Sequence, residues 1–129
     1  MSAANKQWIF ERTKQALQLL ACPAETQIKL IPSFACVTDE LALDLDHWTE
    51  VVLDNFRCEL TEEQISSLTA IDQKFDLLSR GGIEFSEEFW TEDALRKSAE
   101  WEKIRQMAKE ALHRFGWPVE TPPATHTNL

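Results

Sequence analysis

The stretch Asp39–Glu50, DELALDLDHWTE, carries two periodicities at once, and the choice between them decides the fold. Leu41, Leu43 and Leu45 alternate with Ala42, Asp44 and Asp46, the period of a strand with one wet face. Leu41, Leu45, Trp48, Val52 and Phe56 also recur at i, i+4, i+7, i+11 and i+15, the stripe of an amphipathic helix that Thr38 is placed to cap. From Asp46 to Phe56 only the helix fits. Before Asp46 both readings stand. The alternation favours an extended segment paired with Gln27–Ile31, where Ile28 and Leu30 alternate with Gln27 and Lys29 up to Pro32.

Outward from this stretch the chain reads as helices. Trp8, Ile9, Ala16, Leu17 and Leu20 place a helix over residues 5–21, and Pro23 ends it because it lacks an N–H and restricts the residue before it. Thr61-Glu62-Glu63-Gln64 is a capping box. Behind it Ile65, Leu68, Ile71 (or Asp72), Phe75 and Leu78 form one apolar face, closed by Gly81-Gly82. Residues 83–95, IEFSEEFWTEDAL, mix aromatics and acids in a loop, within which Thr91 starts a short helix with Glu92 and Asp93 at its positive end. Ser98 caps a last helix over residues 99–115, with Trp101, Ile104, Ala108, Ala111, Leu112 and Phe115 as its stripe, and Gly116 and Pro118 stop it.

The expected fold is therefore mainly α, a compact single domain of four to five helices over residues 1–118. One short two-stranded β element around residues 27–45 remains open within it. Residues 119–129, with two adjacent prolines and little to bury, read as a flexible C-terminal tail. The predicted core is Trp8, Leu17, Leu20, Trp48, Val52, Ile65, Leu68, Phe75, Leu78, Trp101, Ile104, Ala108 and Leu112.

Composition narrows the function classes. The chain has 129 residues and a net charge of −9, and that charge is concentrated in the middle. Residues 37–64 carry nine acids and one base, and residues 65–95 seven acids and two bases, while both ends are mildly basic. Phosphate backbones and anionic lipid demand clustered Lys and Arg, so binding to nucleic acid or membrane is not expected. The three cysteines are widely spaced with no CxxC, and the N-terminus MSAANKQWIFERTK lacks the apolar core of a secretory signal. A cytoplasmic protein with reduced thiols is the expectation. With three glycines in all, the sequence has no phosphate-cradling loop, dinucleotide fingerprint or nucleophile elbow.

Three chemistries remain to be weighed. Asp44 and His47 are three apart and share a helix face, the spacing of carboxylate–histidine pairs in bundle metal sites. Glu110 and His113 repeat the spacing, but so loose a pattern arises readily by chance among 22 acids, so no metal and no cofactor is expected. Cys36 and His47 could be drawn as a thiolate–imidazole pair, yet no basic cluster supports a lowered thiol pKa. No acid stands out as desolvated for acid–base work, so a non-enzymatic role is favoured. Partner binding is the third. Asp46, Glu50 and Asp54 stand at i, i+4 and i+8 as one anionic stripe with no interleaved base. Glu87, Glu88 and Trp90 sit in the acid-rich aromatic loop, a composition suited to a hot spot with an acidic rim, although rings under a loop are also ordinary core plugs. These six residues are the expected contacts to a basic protein, of the kind an inhibitor or immunity-type protein would engage. The alternatives are a metal-binding helical protein using Asp44 and His47 with nearby acids, and a self-associating domain with a homodimer seam around Phe85–Trp90.

Overall fold

Val37–Phe56 is one continuous helix in the computed structural model, which describes residues 3–123. Six α-helices follow one another: α1 (Ala3–Ala21), α2 (Ala24–Leu30), α3 (Val37–Phe56), α4 (Glu62–Leu78), α5 (Glu92–Lys97) and α6 (Ala99–Phe115). Single 3-10 turns at Arg57–Glu59 and Glu88–Trp90 interrupt the connections. The mainly helical fold expected from the sequence is present, and no strand occurs among the described residues.

The β element expected around residues 27–45 is replaced by α2 and the first half of α3. The leucines show why. Leu41 and Leu45 are buried with Trp48, Val52 and Phe56, whereas Leu43 is 62% exposed. Alternation would have put all three leucines on one face; the helical period separates them. Thr38 does not cap α3 either. Cys36 holds the cap position without a side-chain bond to the helix backbone, its Sγ lying 3.5 Å from the Thr38 hydroxyl, and Thr38 lies buried in the first turn, that hydroxyl donating to the Trp90 carbonyl at 2.8 Å. In α2 the buried Gln27 amide donates to the carbonyls of Leu19 (3.2 Å) and Leu20 (2.9 Å), the last acceptors of α1. Carbonyls in the last turn of a helix lack an i+4 donor; the Cys22 N–H reaches that of Leu19 at 3.1 Å, and Gln27 of α2 supplies a further donor to both.

The other caps form as the sequence dictates. Thr61 and Gln64 close the reciprocal capping box at 2.9 and 3.1 Å, and the hydroxyls of Thr91 and Ser98 accept from Ala94 and Trp101. Gly116 takes the left-handed conformation after α6 at φ 71°. Helix α4 stops at Leu78, before its glycines, with Ser79 extended.

Helices α1, α3, α4 and α6 close a ring in which α1 packs on α3 and α6, and α4 packs on α6 and α3. The short Arg57–Thr61 connection makes α3 and α4 antiparallel. The expected core is buried with two exceptions: Ile65 is half-buried, and Trp8 is 56% exposed. The buried stripe of α1 runs through Ile9, Thr13, Ala16, Leu17 and Leu20, one residue out of phase with Trp8. Trp8 instead lies edge-on to Trp48 at 5.3 Å, with the Arg12 guanidinium 5.8 Å from its ring. Trp101 anchors the far end of the core, stacked on Phe89 at 4.5 Å and donating its indole N–H to the Phe89 carbonyl at 2.7 Å.

Of the expected tail, residues 119–123 are described and 124–129 lie outside the described residues. The chain turns back over the end of α1 here. Gln18 donates to the Pro118 carbonyl at 3.0 Å, Thr121 hydrogen-bonds Cys22, and Pro122 is buried.

Candidate functional site

Charge neutralisation divides the molecule. Acids on α1, α5 and α6 are met by bases one turn away or across a helix contact: Glu11 by Lys14, Asp93 by Lys97, Glu102 by Arg105 and Glu110 by Arg114. Helix α3 contains no Lys or Arg, and α4 contains only Lys74. That lysine turns away from α3, to Glu100 at 2.8 Å and Glu84 at 3.1 Å. In consequence Asp39, Glu40, Asp46, Glu50 and Asp54 on α3, with Glu62, Glu63, Asp72 and Asp76 on α4, make no ion pair among the described residues.

The antiparallel packing then brings these acids face to face. The Asp72 carboxyl on α4 hydrogen-bonds that of Asp46 on α3, with Glu50 and Asp76 close enough to act on it electrostatically. Burial is the largest influence on Asp72, followed by the bond to Asp46 and the negative charges of Asp46, Asp76 and Glu50. Together they push its pKa up to about 7. A hydrogen bond between two carboxyl groups needs a proton on one of them. With its pKa at about 7, Asp72 holds that proton only part of the time at neutral pH.

Asp46, Glu50 and Asp54 are all exposed, Asp46 at the flank of α3 that borders α4 and Glu50 and Asp54 further round, away from its core face. The stripe extends toward the helix start through Leu43 and Asp39, which stand at i−3 and i−7 from Asp46. There, between the first turns of α3, the end of α4 and residues 79–90, an open cleft of about 550 Å³ is lined by Ala42, Leu43, Phe85 and Trp90, with Asp39, Arg80 and Glu87 at its edge. Glu87 and Trp90 thus meet in one cleft. Glu88 does not join them; it lines a separate cleft with Glu84, Asp93 and Lys97. Of the loop rings, Phe89 is a core plug, whereas Trp90 and Phe85 are half-buried at the cleft wall.

Sequence reasoning missed Asp72, Asp76, Asp39 and Leu43. The i, i+4 spacing of Asp72 and Asp76 was a usable signal, but which α3 residue opposes them depends on the register of two helices. Asp39 and Leu43 were hidden by the strand reading.

Asp44 and His47 diverge. Asp44 is 8% exposed on the core side, while His47 is exposed with its ring edge-on to Trp48 at 4.6 Å. No group of three or more His, Cys, Asp or Glu among the described residues is arranged to hold a metal ion. Cys36 and His47 lie eleven residues apart along α3 and its cap, a rise of about 16 Å, too far for a dyad. No helix among the described residues is long and apolar enough to cross a membrane.

Comparison with protein-family models, with curated proteins and with solved structures finds no match to this chain.

Proposed function

We propose that this chain is a non-enzymatic docking module that binds a basic protein through the acidic face of α3 and α4. The observation that carries this reading is the run of carboxylates from Asp39, Asp46, Glu50 and Asp54 on α3 and Glu62, Glu63, Asp72 and Asp76 on α4 that make no ion pair among the described residues, beside helices whose acids are met by bases. Like charges one turn apart cost a few tenths of a kcal/mol per pair, and Asp46 against Asp72 adds a cross-helix contact that is partly desolvated. A face shaped by stability alone would mix signs, as α6 does. A partner bringing lysines or arginines relieves the repulsion on binding, and the field of the acids accelerates its approach. An inhibitor or immunity-type protein in the cytoplasm, covering the basic surface of a toxin or nuclease, is the concrete form proposed.

Charge reversal at two exposed positions tests the reading. Glu50→Lys with Asp54→Lys should abolish capture of a purified basic partner while leaving the circular dichroism spectrum and thermal midpoint close to wild type. Undiminished capture by the double variant would remove the proposal.

A further inference from the structure

Resting on that docking reading, we infer that the cleft between the start of α3 and residues 79–90 seats one apolar side chain of the basic partner, flanked in the partner by lysine or arginine on both sides. Asp39, Leu43, Asp46 and Glu50 lie in one line at i, i+4, i+7 and i+11. Leu43 interrupts an otherwise anionic row and is 62% exposed, and it opens directly onto the cleft. A lone exposed leucine is ordinary on a protein surface, but Leu43 shares this cleft with Phe85 and Trp90, and an apolar centre with a polar rim is how interfaces concentrate affinity.

The opposite wall is held in place before anything binds. The Trp90 indole N–H donates to the Leu78 carbonyl at 2.9 Å, and the Trp90 carbonyl accepts from Thr38 at 2.8 Å. The Arg80 guanidinium covers the Phe85 ring at 5.0 Å and lies 3.9 Å from Glu87, so these two charges offset each other at the outer edge. What remains is Asp39 on one side and the Asp46, Glu50, Asp72 and Asp76 group on the other. Along α3 the distance from Leu43 to Glu50 is about 10 Å, two helical turns. Charge selects the occupant. An acidic segment meets Asp39 at the cleft edge and the Asp46 and Glu50 carboxylates beyond it along α3, whereas a cationic one places its anchor between two sites for its charges.

The test uses synthetic helical peptides with the intact protein, followed by NMR. One peptide carries a single Leu flanked by Lys one and two turns away on each side; a second replaces that Leu by Ala; a third replaces the Lys by Glu. The Leu peptide should bind about tenfold or more tightly than the Ala peptide, shifting the Trp90 indole N–H and the Leu43 methyl resonances, and the Glu peptide should not bind. Leu43→Glu, at an exposed position, should erase the difference between the Leu and Ala peptides although it adds negative charge. Equal binding of those two peptides, with shifts confined to Asp46, Glu50 and Asp72, would overturn the anchor cleft and leave the acidic docking face standing. Absence of binding by either lysine peptide at low salt would overturn both. Shifts at Leu43 and Trp90 that follow the protein's own concentration would assign the cleft to a second copy of the chain and overturn it as well.

Discussion

The Asp72 carboxyl on α4 meets the Asp46 carboxyl on α3 across the helix seam, and burial together with this contact raises the Asp72 pKa to about 7. Most protein carboxylates are ionised in both the folded and unfolded states at that pH, so the pair gives stability an unusual pH dependence. An unfolded Asp releases its proton near pH 3.9. Below that value both states hold the proton and Asp72 contributes nothing to the difference. Between about pH 4 and 7 the folded state retains a proton that the unfolded state has lost, so stability falls as pH rises. Above about 7 the loss is complete.

Asp72→Asn removes this titration while keeping a donor for Asp46. The full shift would correspond to roughly 4 kcal/mol, and partial exposure with solvent screening reduces it to about 1–2 kcal/mol. Urea unfolding at pH 4.5 and pH 8 should therefore show the variant gaining on the wild type by about that amount over the interval. Parallel pH profiles for the two proteins would mean that the carboxyls do not share a proton.

The helical phase of α3 has its own test. Leu41 and Leu45 are buried and Leu43 is exposed. Leu41→Ala and Leu45→Ala should each cost about 2–4 kcal/mol of unfolding free energy, and Leu43→Ala less than about 0.5 kcal/mol. A strand with one wet face would make the three substitutions equally costly, so the ratio decides between the two periods that compete in Asp39–Glu50.

That competition marks where the sequence was legible. Segments whose ends carry local chemistry, such as Thr61 with Gln64 or Ser98 ahead of Trp101, were readable because a cap is decided within four residues. Helix α2 was not. It has seven residues, too few to hold a helix alone, and it depends on Gln27 reaching the carbonyls of Leu19 and Leu20. Trp8 was misplaced by one position because Ile9 beside it fits the same stripe. The exposed acids Asp46, Glu50 and Asp54 could be read from the pattern of α3, but their opposition to Asp72 is a tertiary fact set by how α3 and α4 pack.

Gly82 controls the loop that builds the cleft. A Cβ there would lie 2.3 Å from the carbonyl oxygens of Asp76 and Leu77, and the latter accepts from the Glu84 N–H at 2.9 Å. Gly82→Ala should push residues 82–90 off the end of α4, costing about 1–3 kcal/mol and shifting the Trp90 indole N–H resonance. Gly116→Ala is the comparison. Its Cβ meets nothing within 4 Å, so it should cost about 1 kcal/mol through its left-handed backbone and leave Trp90 unchanged. An unshifted Trp90 indole N–H resonance in Gly82→Ala would show that the loop does not depend on this close approach.

The unpaired acids of α3 and α4 should also make the free protein gain stability from salt. Raising NaCl from about 0.1 M to 1 M shortens the screening length from about 10 Å to 3 Å, weakening both the repulsion among these acids and the ion pairs of α5 and α6. The ion pairs are exposed, and pairs of that kind contribute little. The repulsion between Asp46 and Asp72 is partly buried and has no base to offset it. Net stabilisation by salt is therefore expected, and Asp46→Asn, Glu50→Gln and Asp72→Asn combined should reduce it by about 0.5–1 kcal/mol. The same triple variant should be more stable than wild type at low salt and neutral pH, because the acids proposed to bind the partner are a liability without it. If salt destabilises the wild type and the triple variant equally, the exposed ion pairs outweigh the seam, and the acids of α3 and α4 are then an ordinary solvated surface.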